Sequence, residues 1–186
     1  MAEVIIKTRT IIVLIIGALI MLLLSYACVL DWINKLEKGG DWLVNLIYHP
    51  LTGVIAIIFF TLAVVFSLEK ATPGRMERIK NYLEEKQQVY MIILVLTIIS
   101  FILLTVNSII LLRAGTSGVE GLIAVHTLMG IIFGVLFFIS SAKIIINLYL
   151  SNPQKWQNYI VIEVILLVVV FTVMVIVGRA IGLISI

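Results

Sequence analysis

Long runs without a charged side chain are the feature that most constrains how this chain folds. Four runs contain no Asp, Glu, Lys or Arg, and a fifth contains only three; they are Thr10–Leu30, Trp42–Leu68, Gln87–Leu112, Gly121–Ala142 and the stretch from Tyr149 onward. Each run reaches or exceeds the about 20 residues with which a helix crosses the bilayer hydrocarbon. The runs are too uniformly apolar for the strands of a membrane barrel, in which apolar and polar residues alternate.

We therefore predict an all-α membrane protein with five transmembrane helices in one transmembrane domain, residues 1–186. The predicted spans are 10–30, 46–68, 89–112, 122–148 and 157–183. Only 12% of the residues are charged, against about 25% in a soluble domain. This composition excludes a soluble enzyme and a partner made of nucleic acid. The lone Cys28 excludes an internal disulfide framework.

Basic residues predict the orientation, because loops on the cytoplasmic side are enriched in Lys and Arg. A cytoplasmic N-terminus puts nine basic residues inside and leaves four outside: Lys35, Lys38, Arg113 and Arg179. We therefore expect an integral protein of a prokaryotic cell membrane, in contact with membrane lipid, with its C-terminus outside. Tyr26–Asp31 lacks a small-residue cleavage site, so the first span is not predicted to be a cleaved signal.

The only two histidines lie in a repeated motif. His49–Ile55 and His126–Ile132 both read His-x-Leu-x-Gly followed by two further apolar residues that are β-branched. Each motif follows an apolar span and an outer loop, which indicates a parallel duplication of a two-helix hairpin. The duplication predicts that both imidazoles lie at matching depth near the outer face.

Two imidazoles on facing helices can supply both axial ligands of a haem iron. Gly53 and Gly130 would leave room for the flat ring, and Arg113 and Arg179 would pair with its propionates. The alternatives from the residues alone are histidines that bond to water near the headgroups and arginines that snorkel at helix ends. Zinc is the weaker metal hypothesis, because no third or fourth ligand accompanies the pair.

These motifs resemble the cytochrome b561 family, most specifically at Tyr48–Leu51, at Gly118–Gly121 and at His126–Gly130. The resemblance covers spans two to five and implies a four-helix haem-binding bundle, with the first span as an extra N-terminal helix. Family members bind two haem b groups, one near each membrane face. The resemblance implies that His49 and His126 ligate the non-cytoplasmic haem.

The second haem of the family needs histidines where this chain has none, in Gln87–Ile92 and Asn152–Gln157. The family also usually has a sixth helix. We therefore expect one haem b per chain, and an electron-transfer cytochrome, in that sense an oxidoreductase, with no catalytic residue of its own. Expected partners are a membrane quinol or another membrane subunit as donor, and an extracytoplasmic redox protein as acceptor. A homodimer or a place in a larger complex stays open.

Two other functions stay open from the sequence. One is a haem-free structural anchor subunit of a larger complex. The other is a small transporter that uses Lys143 and Glu163, which are predicted to lie in the inner leaflet and, more simply, to form an ion pair. Two connections are also predicted: a short amphipathic surface helix at Arg75–Lys86, and a large outer loop at Asp31–Asn45.

Overall fold

The computed structural model describes residues 6–38, 43–113 and 119–152, and further positions at 155, 157–158, 160–162, 164–165, 168–169, 172–173 and 176. Within these residues the fold is all-helical, with no strand, and its elements are α1 (Thr8–Lys38), α2 (Leu43–Ala71), α3 (Arg75–Glu85), α4 (Gln87–Arg113) and α5 (Val119–Ser151). Four of these helices, all but α3, are long and apolar enough to cross a membrane. The length and the apolar composition of these helices indicate an integral membrane protein. The fifth predicted span, 157–183, is described too sparsely to confirm, although its described residues are helical.

Helix α1 is longer than the sequence predicted. The predicted span ended at residue 30, and Asp31–Asn45 was predicted to be a loop, but the helix continues to Lys38. No helix breaker precedes the glycine pair at residues 39 and 40. Asp31 and Lys35 form an i,i+4 ion pair at 2.8 Å. The loop prediction was therefore wrong for residues 31–38, because polar residues that leave the hydrocarbon can still continue a helix. It was also wrong for residues 43–45, where α2 already begins.

The four long helices form two antiparallel hairpins, α1–α2 and α4–α5, which meet where α2 packs on α5. The contacts between α2 and α5 join residues at a nearly constant separation in sequence. His49 meets His126 and Ile57 meets the Gly134 position, each 77 residues on, and Phe60 meets Phe138, 78 residues on. This register shows that α2 and α5 pack parallel, because two parallel helices rise equally per residue. The duplication itself stays a prediction.

The two ends of the bundle have different connections. We call the end that carries the two histidines the histidine end, and the opposite end, where α3 lies, the α3 end. At the α3 end, Gly74 adopts the left-handed conformation (φ 77°) and α3 begins at the next residue. Both carboxylate oxygens of Glu69 accept backbone N–H bonds at 2.8 Å, from Gly74 and Met76. The predicted surface helix is thus confirmed, with Met76 buried beneath it.

Candidate histidine site

The structure brings the two histidines together between α2 and α5. Their ring centroids lie 6.5 Å apart, and the ring planes are inclined by 49°. His126 is buried at 4% exposure, and His49 is half-buried. Each histidine lies near the start of its helix, so the parallel packing of α2 on α5 puts both at one level.

A serine from the preceding helix contacts each histidine at the same ring nitrogen. Ser25 Oγ on α1 lies 2.7 Å from His49 Nδ1, and Ser108 Oγ on α4 lies 3.4 Å from His126 Nδ1. Ser108 Oγ donates to the Leu104 carbonyl at 2.7 Å, which leaves its oxygen to accept from His126 Nδ1–H. In this tautomer the Nε2 lone pair of His126 is available as a ligand. Ser25 Oγ lies closer to His49 Nδ1 than to the His49 carbonyl, at 2.7 Å against 3.3 Å, so the tautomer of His49 decides which of the two groups donates.

The distance between the rings fits one particular coordination geometry. With a metal–nitrogen bond of about 2.0 Å, two imidazoles on opposite sides of one ion have centroids about 6 Å apart, and at a tetrahedral angle about 5 Å apart. The observed 6.5 Å is nearer to the opposed arrangement. Among the described residues no group of three or more His, Cys, Asp or Glu side chains could hold a metal ion. A bare zinc ion would therefore find only this pair within the described part of the chain.

Trp32 on α1 also borders the histidine pair. Its indole lies edge-on to the His126 ring, with centroids 5.8 Å apart and planes inclined by 65°. The side chain is only 2% exposed. Its Nε1 atom is buried and has no hydrogen-bond partner in the part of the chain that the structure describes. Helix α1, predicted to be an extra helix beside the bundle, thus supplies two side chains to the site.

The other predicted site residues are two glycines, whose surroundings differ, and two arginines. A Cβ atom at Gly130 would meet nothing within 4 Å, whereas at Gly53 it would lie 3.7 Å from Ser25 Oγ. Gly53 therefore borders α1. Arg113 is the last residue of α4. The Arg113 side chain and all of Arg179 lie outside the described residues, so their predicted pairing with propionates stays a prediction.

Lys143 lies away from the histidines, at the α3 end. Its ammonium nitrogen is 3.6 Å from the ring centroid of Tyr90 on α4, a cation–π contact. Glu163, its predicted ion-pair partner, lies outside the described residues. The structure therefore gives Lys143 an aromatic neighbour that the sequence analysis did not consider.

The sequence analysis missed Ser25, Ser108 and Trp32. A usable signal was present, because a serine inside an apolar span needs a hydrogen-bond partner, and each serine lies in the span just before a histidine. Comparison of the chain with known protein families, curated proteins and solved structures found no match.

Proposed function

We propose that this protein is a membrane b-type cytochrome that carries electrons through one haem b, held between His49 and His126. The observation that carries the proposal is the matched pair of imidazoles, 6.5 Å apart, each bonded through Nδ1 to a serine. With the proton on Nδ1, each ring keeps its Nε2 lone pair for a ligand. The proposal agrees with the resemblance of the histidine motifs to cytochrome b561.

The donor set favours haem over a bare metal ion. Porphyrin supplies four nitrogen ligands to its iron, so two opposed imidazoles complete the coordination. A structural zinc site needs four protein ligands, and a catalytic one needs three. Within the described residues, two histidines suffice for haem but not for zinc.

The protein's residues would act by binding and tuning. Haem iron supplies one-electron chemistry when bound, and filling both axial positions with protein ligands favours electron transfer over binding of oxygen. The serine oxygens hold the imidazole rings in one tautomer and orientation. The apolar helices around the pair limit access of water.

Orientation sets the proposed path of electrons. The excess of basic residues at the α3 end puts that end in the cytoplasm and the histidine end on the outer side. Electrons would then arrive from a membrane quinol or a partner subunit and leave toward an extracytoplasmic acceptor. A homodimer or a larger complex would fit the exposed apolar faces of α1 and α4 as well as lipid does.

The test is an optical spectrum of the detergent-purified protein, oxidised and then reduced with dithionite, together with a haem-to-protein ratio. We expect a sharp reduced α-band and about one haem per chain. The control variant is Thr127→Val, beside His126. It should keep the spectrum and the haem-to-protein ratio of the wild type, because the exposed Thr127 hydroxyl bonds to the Ile123 carbonyl of its own helix. Protein without haem, from cells supplied with ample haem, would overturn the proposal and favour the haem-free anchor subunit.

A further inference from the structure

The Trp32 indole N–H is a buried donor beside the histidine pair without an acceptor among the described residues. Native proteins rarely leave such a group unpaired, because water is lost on burial and nothing replaces it. Trp32 is the only side chain in the described part of the site that has this property. Its ring contacts His126 edge-on at 5.8 Å.

Side-chain atoms next to the histidines are already engaged. His126 Nδ1 bonds to Ser108, and Ser108 also bonds to the Leu104 carbonyl. Ser25 Oγ is used by His49. Among the described side chains around the histidines none is left to accept from the indole, so a group bound between the helices would supply the acceptor.

We propose that the Trp32 N–H donates a hydrogen bond to a propionate carboxylate of the haem held by His49 and His126; this inference rests on the proposed function. Trp32 lies about two turns beyond Ser25 toward the end of α1, in the last part of the membrane-spanning stretch Thr8–Lys35 of that helix. Propionates are the anionic, water-facing substituents of haem, so they belong at this level. A hydrogen bond from an N–H to a carboxylate is charge-assisted and stronger than one between neutral groups.

This proposal gives α1 a role in the specificity of ligand binding. The histidines recognise the iron, and Trp32 recognises a carboxylate on the porphyrin edge. A porphyrin whose carboxylates are esterified keeps its iron and its ring but offers Trp32 only neutral oxygens.

The experiment titrates the haem-depleted full-length protein in detergent with iron protoporphyrin and, separately, with its dimethyl ester. The variants are Trp32→Phe and a protein in which 3-benzothienyl-alanine replaces Trp32, which keeps the ring shape and removes only the N–H. Tyr26→Phe is the matched control, because Tyr26 lies on the same helix and is 61% exposed. Circular dichroism and gel filtration check that each variant keeps its helices and its size.

We expect both Trp32 variants to bind iron protoporphyrin about tenfold more weakly than wild type, the range for one hydrogen bond to a charged group. The loss should shrink to about threefold or less with the dimethyl ester. Equal losses with both porphyrins would overturn the proposal, because Trp32 would then act by packing. No loss with either porphyrin would also overturn it. A wild-type protein that binds neither porphyrin would instead refute the proposed function itself, so the two failures are distinct.

Discussion

The histidine end and the α3 end of this bundle are built from the same two hairpins, yet their interiors differ in chemistry. At the α3 end large apolar side chains close the space, with Phe66 and Tyr149 in ring contact at 5.5 Å and Met76 and Ile146 each 1% exposed. At the histidine end the interior holds imidazoles, hydroxyls and an indole N–H that finds no acceptor among the described residues. One end is thus stabilised by its own packing, whereas the other holds polar groups that suit a ligand.

The hydrogen bonds at the α3 end join neighbouring helices and turns. At the α3 end Glu69 accepts two backbone N–H bonds in the turn before α3, and Lys70 donates to Thr8 Oγ1 between α2 and α1. Asn147 Oδ1 on α5 is nevertheless buried at this end without a partner among the described residues. The comparison teaches that two packed hairpins can close one end mainly with apolar side chains and bring two imidazoles together at the other.

The largest effect is expected from the histidines. Replacing either His49 or His126 by Ala would remove one of the two proposed axial ligands, so bound haem should fall from about one per chain to almost none. Lys143→Ala at the α3 end should leave the haem content at the wild-type value. Haem-to-protein ratios of the three purified variants check this, and full haem content in either histidine variant would refute the pair as ligands.

The next largest effect is expected where α1 packs closely on α2. A Cβ atom at Gly17 would lie 2.8 Å from the Phe59 ring, so Gly17→Val should lower the free energy of unfolding by about 1–3 kcal/mol. It should also reduce haem content, because α1 carries Ser25 and Trp32. Thermal unfolding measures the change in stability, and the haem-to-protein ratio measures the change in haem content. Gly121→Ala is the control, since its added methyl group meets nothing within 4 Å.

A smaller effect is expected from the serines. Accepting a hydrogen bond from Nδ1–H makes an imidazole a more basic ligand and favours oxidised iron. Ser25→Ala should therefore raise the reduction potential, by about 20–60 mV for a bond of ordinary strength. Ser108→Ala should raise it less, because its distance is 3.4 Å against 2.7 Å.

Redox titration in detergent measures these shifts. Thr105→Val on α4 serves as the control, because its exposed hydroxyl bonds to the Phe101 carbonyl of the same helix. A fall in potential in the serine variants, or an equal rise in the control, would contradict the assigned tautomers.

The smallest effect is expected at the α3 end. Lys143→Met keeps most of the side-chain length but removes the ammonium group over Tyr90. The free energy of unfolding should fall by about 0.5–2 kcal/mol, the range for a cation–π contact. The reduction potential should stay unchanged, and a clear shift would show that Lys143 acts on the haem.

Sequence reasoning predicted four of the helices well, and it failed at one connection. Apolar runs report spans directly, because a bilayer demands about 20 residues of one character. The continuation of α1 through Trp32 to Lys38 was missed, because polar residues at the end of a span are equally typical of a loop. The pairing of Lys143 with Glu163 stays a prediction, because Glu163 lies outside the described residues. The contact of Lys143 with Tyr90 was not predicted, because it depends on how α5 is rotated about its axis.

The sequence by itself determined the apolar spans and the repeated motif from which His49 and His126 were expected at one level, because both depend on composition and on spacing along the chain. Only the tertiary structure decided which atoms surround the imidazoles. The contacts of Ser25, Ser108 and Trp32 depend on how each helix is rotated about its axis and how closely α1 packs on α2. Apolar runs with no strong polar face leave that rotation open, and side-chain packing between the helices sets it.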